Sequence, residues 1–379
     1  MALILTEEQE LLRDAARDYA SDQCTIDQLR GLRDADNERG FDPALWKQMA
    51  ELGWLGIPFP EEFGGAELGL AELGVVLEEL GHPLAVTPFL STVLLAGGAI
   101  HAGGSAEQKK RVLPALCEGG RILALAHQET PRHAPYAVET TATRDGNGFV
   151  IDGSKQLVLD GAAADELVVV ARTSGAAGER QGLSLFLVDA SAQGIDRKRT
   201  LLIDSRSAAE ITFAGTRVAA ESLIGELDRG ADVLDPVLDR ATAALCAEML
   251  GGIEEAFDRT VAYLKEREQF GAVIGSFQGL KHRAARWFCE VQLSRSVVLK
   301  TLRALDEGLA QAPELVSACK ARLSDTYRLS GEEGIQLHGG VGVTDEEDIG
   351  FFMKRARVSE LLLGDATFHR NRFAELRDY

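Results

Sequence analysis

The hydrophobic pattern of this chain changes period twice, and a segment built on one period cannot adopt the structure of the other. Up to about residue 120, apolar positions recur three and four apart: Leu11, Leu12, Ala15, Ala16 and Tyr19, then Leu68, Leu70, Leu73, Val76, Leu77 and Leu80. Between about 122 and about 228 the period falls to two. Residues 138–143 and Phe149-Val150-Ile151 flank the turn tetrad Asp145-Gly146-Asn147-Gly148 and predict a hairpin. Short buried strands are expected at 166–172, around Leu167-Val168-Val169-Val170, at 183–188, and at Ile211-Thr212-Phe213. From about 231 the helical period returns, from Val233 and Leu234 through Ile253 and Phe257 to Leu264, followed by helices over 277–305 and from 313 to about 330. Gly339-Gly340-Val341-Gly342 interrupts a fourth segment, and a last helix follows Asp365. The expected class is α+β, with a helical domain over 1–121, a compact β domain over 122–228, and a C-terminal bundle of four long antiparallel helices over 229–379. Thr6-Glu7-Glu8-Gln9 reads as a capping box and Ser105-Ala106-Glu107-Gln108 as a second helix start, while residues 53–65, rich in Gly and Pro, read as loop.

Charge and cysteine usage exclude several functions. A net charge of −19 over 379 residues argues against non-specific nucleic-acid binding and against docking on an anionic membrane. The start, Met1-Ala2-Leu3-Ile4-Leu5-Thr6-Glu7-Glu8, has no basic region and does not read as a secretory signal. The longest apolar stretch, 88–104, is broken by Gly97, Gly98 and His101, so no membrane span is expected. Cys24, Cys117, Cys246, Cys289 and Cys319 are odd in number and widely spread. This reads as buried reduced thiols in a cytoplasmic protein, with no metal site.

Between two long helical segments stands Arg267-Glu268-Gln269-Phe270-Gly271-Ala272-Val273-Ile274-Gly275-Ser276-Phe277-Gln278. Its glycines let the backbone turn and approach another surface. Arg267 offers a planar cationic fork suited to phosphate or carboxylate, Phe270 and Phe277 offer flat apolar faces, and Gln278 an amide that both donates and accepts. The string resembles the signature Arg-x-Gln-Phe-Gly-x-x-Ile-Gly-x-Phe-Gln of the flavin-dependent acyl-CoA dehydrogenases. Further resemblances are residues 103–114, Asp152-Gly153-Ser154-Lys155, and Gln336-Leu337-His338-Gly339-Gly340-Val341-Gly342, so that the likeness spans essentially the whole chain.

The resemblance implies a three-part fold with a central β-barrel-like domain. It also implies FAD as cofactor and α,β-desaturation of an acyl-CoA thioester, with electrons passed to an electron-transfer flavoprotein or other acceptor. In that family the corner and the Gly-Gly loop reach flavin held mainly by a neighbouring subunit. The residues carried over to that role are Arg267, Gln269, Phe270, Gln278, Gln336, Gly339 and Gly340. Taken alone, the Gly339-Gly340 pair reads equally as a helix C-cap. His338 and His282 are given structural roles.

The half of the site that a subunit uses for its own flavin ring departs from the family pattern. Where the family has Thr-Glu-Pro and then Gly-Ser-Asp, this chain has Gln128-Glu129-Thr130-Pro131 and no Gly-Ser-Asp. Where the family has Lys-x-Trp-Ile-Thr-Asn, it has Lys155-Gln156-Leu157-Val158-Leu159-Asp160. Where Tyr-Glu-Gly-Thr often carries the catalytic glutamate, it has Leu362-Leu363-Gly364-Asp365. Leucine cannot hydrogen-bond a flavin edge or accept a proton. Some relatives carry the base on the helix before the corner. That position falls here on Ala241, with Asp239-Arg240 displaced upstream by two residues, or roughly 200° around a helix. Glu248 lies about 10 Å along the axis from Ala241, too far to serve the same carbon. Asp239 is the candidate base, with an early-helix carboxylate favoured by the dipole as the alternative. The resemblance is strongest to small subunits of heteromeric enzymes of this family. It leaves three readings: a partner subunit lending half a flavin site, a self-sufficient enzyme using Asp239, and a flavin-free acyl-CoA-binding scaffold.

Overall fold

The structure is a computed structural model describing residues 4–35 and 37–379. Met1-Ala2-Leu3, part of the start read above as no signal, lie outside the described residues. The helices before the sheet are α1 (Glu7–Gln23), α2 (Ile26–Asp34), α3 (Pro43–Glu51), α4 (Leu70–Gly81), α5 (Gly98–Gly103) and α6 (Ala106–Cys117). The strands are β1 (Leu123–Ala126), β2 (Thr141–Asp145), β3 (Gly148–Leu159), β4 (Glu166–Arg172), β5 (Leu183–Asp189), β6 (Ile195–Leu201), β7 (Ser207–Ala219) and β8 (Leu223–Ile224). Then come α7 (Ala231–Glu266), a two-strand ribbon β9 (Glu268–Gln269) and β10 (Ala272–Val273), α8 (Gln278–Asp306), α9 (Ala312–His338), α10 (Ile349–Leu361) and α11 (Ala366–Leu376). The chain divides into two units: the N-terminal stretch to Arg30 with Leu70–Ala85 and Thr242–Tyr379, and Gly31–Gly69 with Val86–Ala241.

The first unit is a helical bundle in which α9 packs on α8, α10 and α11, and α4 packs on α1 and α8. Its tightest joint is the crossing of α4 with α7. A Cβ on Gly251 would lie 1.9 Å from the carbonyl oxygen of Glu78, and one on Gly81 would lie 2.2 Å from that of Glu248. Only glycine lets two helix backbones meet so closely. Charged groups surround the crossing. Arg295 of α8 pairs with Glu78 at 3.0 Å and also grips Glu254, His82 faces Glu254 and Glu255, and buried Arg355 pairs with Glu248 at 3.1 Å. Burial pushes the Glu254 carboxyl up to about 7, reinforced by Glu78 and opposed by Arg295. Glu78, Glu79 and His82 approach each other as metal ligands would, but Arg17 pairs with Glu79 and Arg295 with Glu78.

The second unit is built on a mixed eight-stranded sheet in the order β6-β7-β3-β2-β4-β5-β8, with β1 parallel to β4. Its core is the inward face of these strands, with Ile151, Leu167, Val169, Phe186, Ile211 and Phe213 all buried. Arg172, at the end of β4, donates to the carbonyls of Tyr136, Val138, Ser174, Glu179 and Gln181 and so fixes two loops.

Both capping boxes are formed, by Thr6 with Gln9 and by Ser105 with Gln108, and Asp365 caps α11 by accepting from the Phe368 amide. The hairpin is β2–β3, with Asp145 opposite Gly148, although β2 begins at Thr141 rather than 138 and β3 continues to Leu159. β1 and β6 carry no alternation that the sequence could reveal. β1, Leu-Ala-Leu-Ala, is apolar and buried throughout, and β6, Ile-Asp-Arg-Lys-Arg-Thr-Leu, is a charged edge strand. Helix α9 runs unbroken to His338, past the expected end near 330. Gly331 and Gly334 do not break it, because they are where α10 packs: a Cβ there would lie within about 3 Å of Met353 and Ile349. Leu68 precedes α4 and is half exposed, its amide bonded to the Ile57 carbonyl. Leu11, expected on the apolar side of α1, is 72 % exposed. Of the five cysteines, none in a disulfide, four are buried and Cys289 is exposed, against the expectation.

Gly251→Ala removes the closest helix contact and should cost several kcal/mol, since backbone cannot yield as a side chain does. Gly31→Ala, in α2 with nothing within 4 Å of the new methyl, should instead stabilise by roughly 0.5–1 kcal/mol. Denaturant midpoints of the two variants check this contrast.

Candidate functional site

The corner that follows α7 folds as a miniature hairpin. Gln269 pairs with Ala272 across a two-residue turn in which Phe270 has φ +56° and Gly271 φ +77°. Positive φ at both central positions matches the twist of a two-residue hairpin, and at Phe270 it is uncommon backbone for a bulky side chain. The turn presents Phe270 at 92 % exposure, its ring edge toward Phe277 at 6.4 Å. Arg267 is exposed, its backbone tied to the Tyr263 carbonyl and to the Ile274 amide. Gln269 and Gln278 are exposed too, and the Gln278 amide lies 3.3 Å from the ring of His282, one turn on.

The Gly-Gly loop begins at the C-terminus of α9. Gln336 is exposed on the last turn, and its carbonyl accepts from the amide of Gly339, which caps the helix with φ +68°. Nothing lies within 4 Å of where a Cβ would stand on Gly339 or Gly340. Tyr263 joins loop and corner. Its ring stacks on His338 with centroids 4.4 Å apart, and its hydroxyl donates to the His338 carbonyl at 3.3 Å. His338 is buried, with Nδ1 donating to the Gly334 carbonyl at 2.7 Å, a packing role as expected. The Tyr263–His338 stack was not anticipated from sequence, because no motif pairs a helix end with another 75 residues away.

The positions that depart from the family pattern are held firmly. Lys155, fully buried, stands 2.5 Å from Glu129, which also accepts from the amides of Glu139 and Thr140. Burial pulls the Lys155 ammonium down to about 8 against the pull of Glu129. Leu157 sits where β3 slips register against β7, with φ +51° and 37 % exposure. Asp160 follows with φ +53°. It is buried and accepts from the Ser91 hydroxyl at 2.5 Å, and burial pushes its carboxyl up to about 7 against the pull of Ser91 and Arg206. Leu363, where the family often carries its base, is buried with φ +57°. Its loop is pinned by His369, whose Nε2 lies 2.9 Å from the Leu363 carbonyl, and by Lys320, which donates to the carbonyls of Gly364 and Glu360.

Asp239 lies in the third turn of α7, in the second unit, and is 7 % exposed. Helix α7 begins at Ala231, so Asp239 is beyond the first turn and the helix dipole does not account for it. The seven residues carried over for flavin belong to the first unit.

Models of the acyl-CoA dehydrogenase N-terminal, middle and C-terminal domains match residues 6–120, 124–216 and 228–376. The chain belongs to the acyl-CoA dehydrogenase family. An acryloyl-CoA reductase (NADH) of Anaerotignum propionicum is 31 % identical over 377 residues, covering 98 % of this chain and 94 % of the relative. Among solved structures, a steroid ACAD is 31 % identical with TM-score 0.88, covering 98 % of both chains. The ChsE4-ChsE5 complex from Mycobacterium tuberculosis is 28 % identical with TM-score 0.90, covering 100 % of this chain and 99 % of the other. This acyl-CoA dehydrogenase is an oxidoreductase acting on acyl-CoA, with FAD as its cofactor. No helix among the described residues is long and apolar enough to cross a membrane.

The corner fits the phosphate-bearing end of FAD: an exposed arginine, an exposed aromatic face, and a glycine loop with open space where side chains would stand. The side chain of Leu157, part exposed, offers no hydrogen-bond donor.

Asp160→Asn keeps shape and removes a buried charge. Because the folded pKa is raised, the stability that wild-type Asp160 contributes is complete below pH 4 and lost as pH rises through about 7. The variant should therefore match wild type near pH 4 and gain on the order of 3–4 kcal/mol relative to it at pH 8.5. Thermal midpoints at the two pH values check the sign.

Proposed function

We propose that this chain is the weakly catalytic or non-catalytic subunit of a heterotetrameric acyl-CoA dehydrogenase. It lends the Arg267 corner and the Gly339-Gly340 loop to FAD held mainly by a second dehydrogenase subunit. The observation that carries this reading is an asymmetry within one chain. Its outward-facing half site is intact and exposed, with Phe270 at 92 %, whereas the positions for its own flavin ring and base are Leu157, Leu159 and Leu363. A buried leucine at 363 can neither take a proton nor polarise a carbonyl. The ChsE4-ChsE5 complex, named for two proteins, is a neighbour consistent with such pairing.

In this role Arg267 offsets phosphate charge, the open Gly-Gly backbone approaches the diphosphate, and the exposed Phe270 and Phe277 faces cover the apolar part of the cofactor. FAD, when bound, supplies the hydride acceptor for α,β-desaturation of the acyl-CoA thioester, and the base that takes the α-proton lies on the partner. Electrons then leave to an electron-transfer flavoprotein or another acceptor. Five cysteines that form no disulfide support a cytoplasmic setting.

A second reading makes the chain its own catalyst. What favours it is Asp239, a carboxylate buried in the third turn of α7, beyond the first turn that the dipole favours. Asp239→Asn distinguishes the two. As a partner subunit the variant complex should keep its acyl-CoA-dependent dye reduction to within about threefold. Loss of a general base would cost about 10²–10⁴-fold with an unchanged thermal midpoint, and that result would transfer the base to this chain.

A further inference from the structure

Lys320, in the third turn of α9, is buried without a counter-ion. Its side chain is 0 % exposed, and among the described residues no carboxylate lies within ion-pairing distance of Nζ. The two acids that act on it are engaged elsewhere: Glu360 pairs with Arg357 at 2.7 Å, and Asp365 accepts from the Phe368 amide. Nζ stands instead among three neutral groups, the carbonyls of Gly364 at 2.8 Å and Glu360 at 3.0 Å and the Ser324 hydroxyl at 3.4 Å.

The hydrogens around Nζ suit one form of the side chain better than the other. Carbonyls only accept, whereas a hydroxyl can accept or donate. Ser324 is buried, and Nζ is the one hydrogen-bond partner of its hydroxyl among the described residues. As an ammonium, Lys320 gives its third N–H to Ser324 and leaves the serine hydrogen with no acceptor. As a neutral amine, it gives two N–H groups to the two carbonyls and takes the serine O–H on its lone pair, so every group is satisfied. A buried charge with no opposite charge beside it costs far more than a buried amine whose hydrogen bonds are complete. Burial accordingly pulls the ammonium down to about 8, against the pull of Cys246, Glu360, Asp365 and Cys319.

Each neighbouring element presents a group that keeps this balance. Helix α7 brings the Cys246 thiol, α9 itself Cys319, α8 the uncharged Thr301 beside Cys319, and α10 the carboxylate of Glu360. Helix α11 brings Arg372, which donates to Ser317, and His369, pulled down to about 3 by burial and by Lys320 and so neutral. The turn held between α10 and α11 is strained. Leu363 and Gly364 follow each other with φ +57° and +103°, and such backbone persists only where its surroundings enforce it. Lys320 holds the carbonyls on either side of this turn, and His369 holds that of Leu363.

We propose that Lys320 is a proton-sensitive latch on residues 362–365. As a neutral amine it holds the turn against α9; on taking up a proton it moves toward water and lets the turn open. Released into water, the side chain regains its ordinary affinity for protons. Below about pH 8 the closed and open forms both carry the proton, and the cost of burying it is complete. Above that pH the closed form sheds its proton first, so closing is favoured as pH rises and opening as pH falls.

Hydrogen–deuterium exchange of the full-length protein, read by mass spectrometry over residues 358–370 at pH 7 and pH 9.5, tests this. The reporting amides are those of Leu362, Phe368 and His369, hydrogen-bonded at the two ends of the turn. After correction for the base-catalysed chemical rate, the opening constant of the wild type should fall by at least about tenfold between the two pH values. Lys320→Met, which has no proton to exchange, should abolish that dependence. Ser324→Ala, a milder change that removes the donor to the amine, should move the fall to higher pH. The wild-type comparison stands without either variant. An opening constant that is flat or rises with pH, a dependence that survives in Lys320→Met, or an unmoved transition in Ser324→Ala would each overturn the proposal.

Discussion

The contact of α4 with α7 at Gly81 and Gly251 sets the geometry of the bundle, and the bundle presents the corner. With carbonyl oxygens about 2 Å from the absent Cβ atoms, the two helices have one available separation and register there. The charges around the crossing cannot be relocated cheaply either. Arg295 answers two glutamates, and Arg355 answers Glu248 while donating to the carbonyls of Leu84 and Ala85. Removing one member of such a group leaves a buried charge uncompensated. From this joint α7 runs to Glu266, where Tyr263 stacks on His338 and so places the Arg267 hairpin beside the Gly339-Gly340 loop.

At the departing positions the backbone keeps conformations that the side chains do not repay. Leu157 and Leu363 both adopt positive φ, which costs a leucine on the order of 1 kcal/mol or more and persists only where the surroundings enforce it. At Leu363 the enforcing groups are buried Lys320 and His369, which hold the carbonyls of residues 363 and 364.

Elements with local signatures were legible in the sequence. Thr6, Ser105 and Asp365 cap helices through their own side chains, and the hairpin turn at Asp145–Gly148 is written in its glycines. What was not legible depended on neighbours distant in sequence. Strand β6, charged and without an apolar run, becomes a strand only by pairing with β7, and the continuation of α9 past 330 through Gly331 and Gly334 depends on α10 packing there. For the site, residues 267–278 announced themselves as one string. The buried Glu129–Lys155 pair and the Tyr263–His338 stack join residues far apart in sequence and have no local spacing to betray them. Asp239 was found by register with relatives; its depth in α7, which weakens the dipole explanation, required the helix start at Ala231.

The central claim is that this chain owns half of a flavin site. Its most direct test is the flavin absorbance of the chain expressed alone and expressed with its partner dehydrogenase subunit, normalised to protein. The account predicts a colourless protein alone and one flavin per pair of chains in the complex, with occupancy falling in the complex carrying Arg267→Ala. Stoichiometric flavin on the chain purified alone, turning over acyl-CoA without a partner, would contradict it.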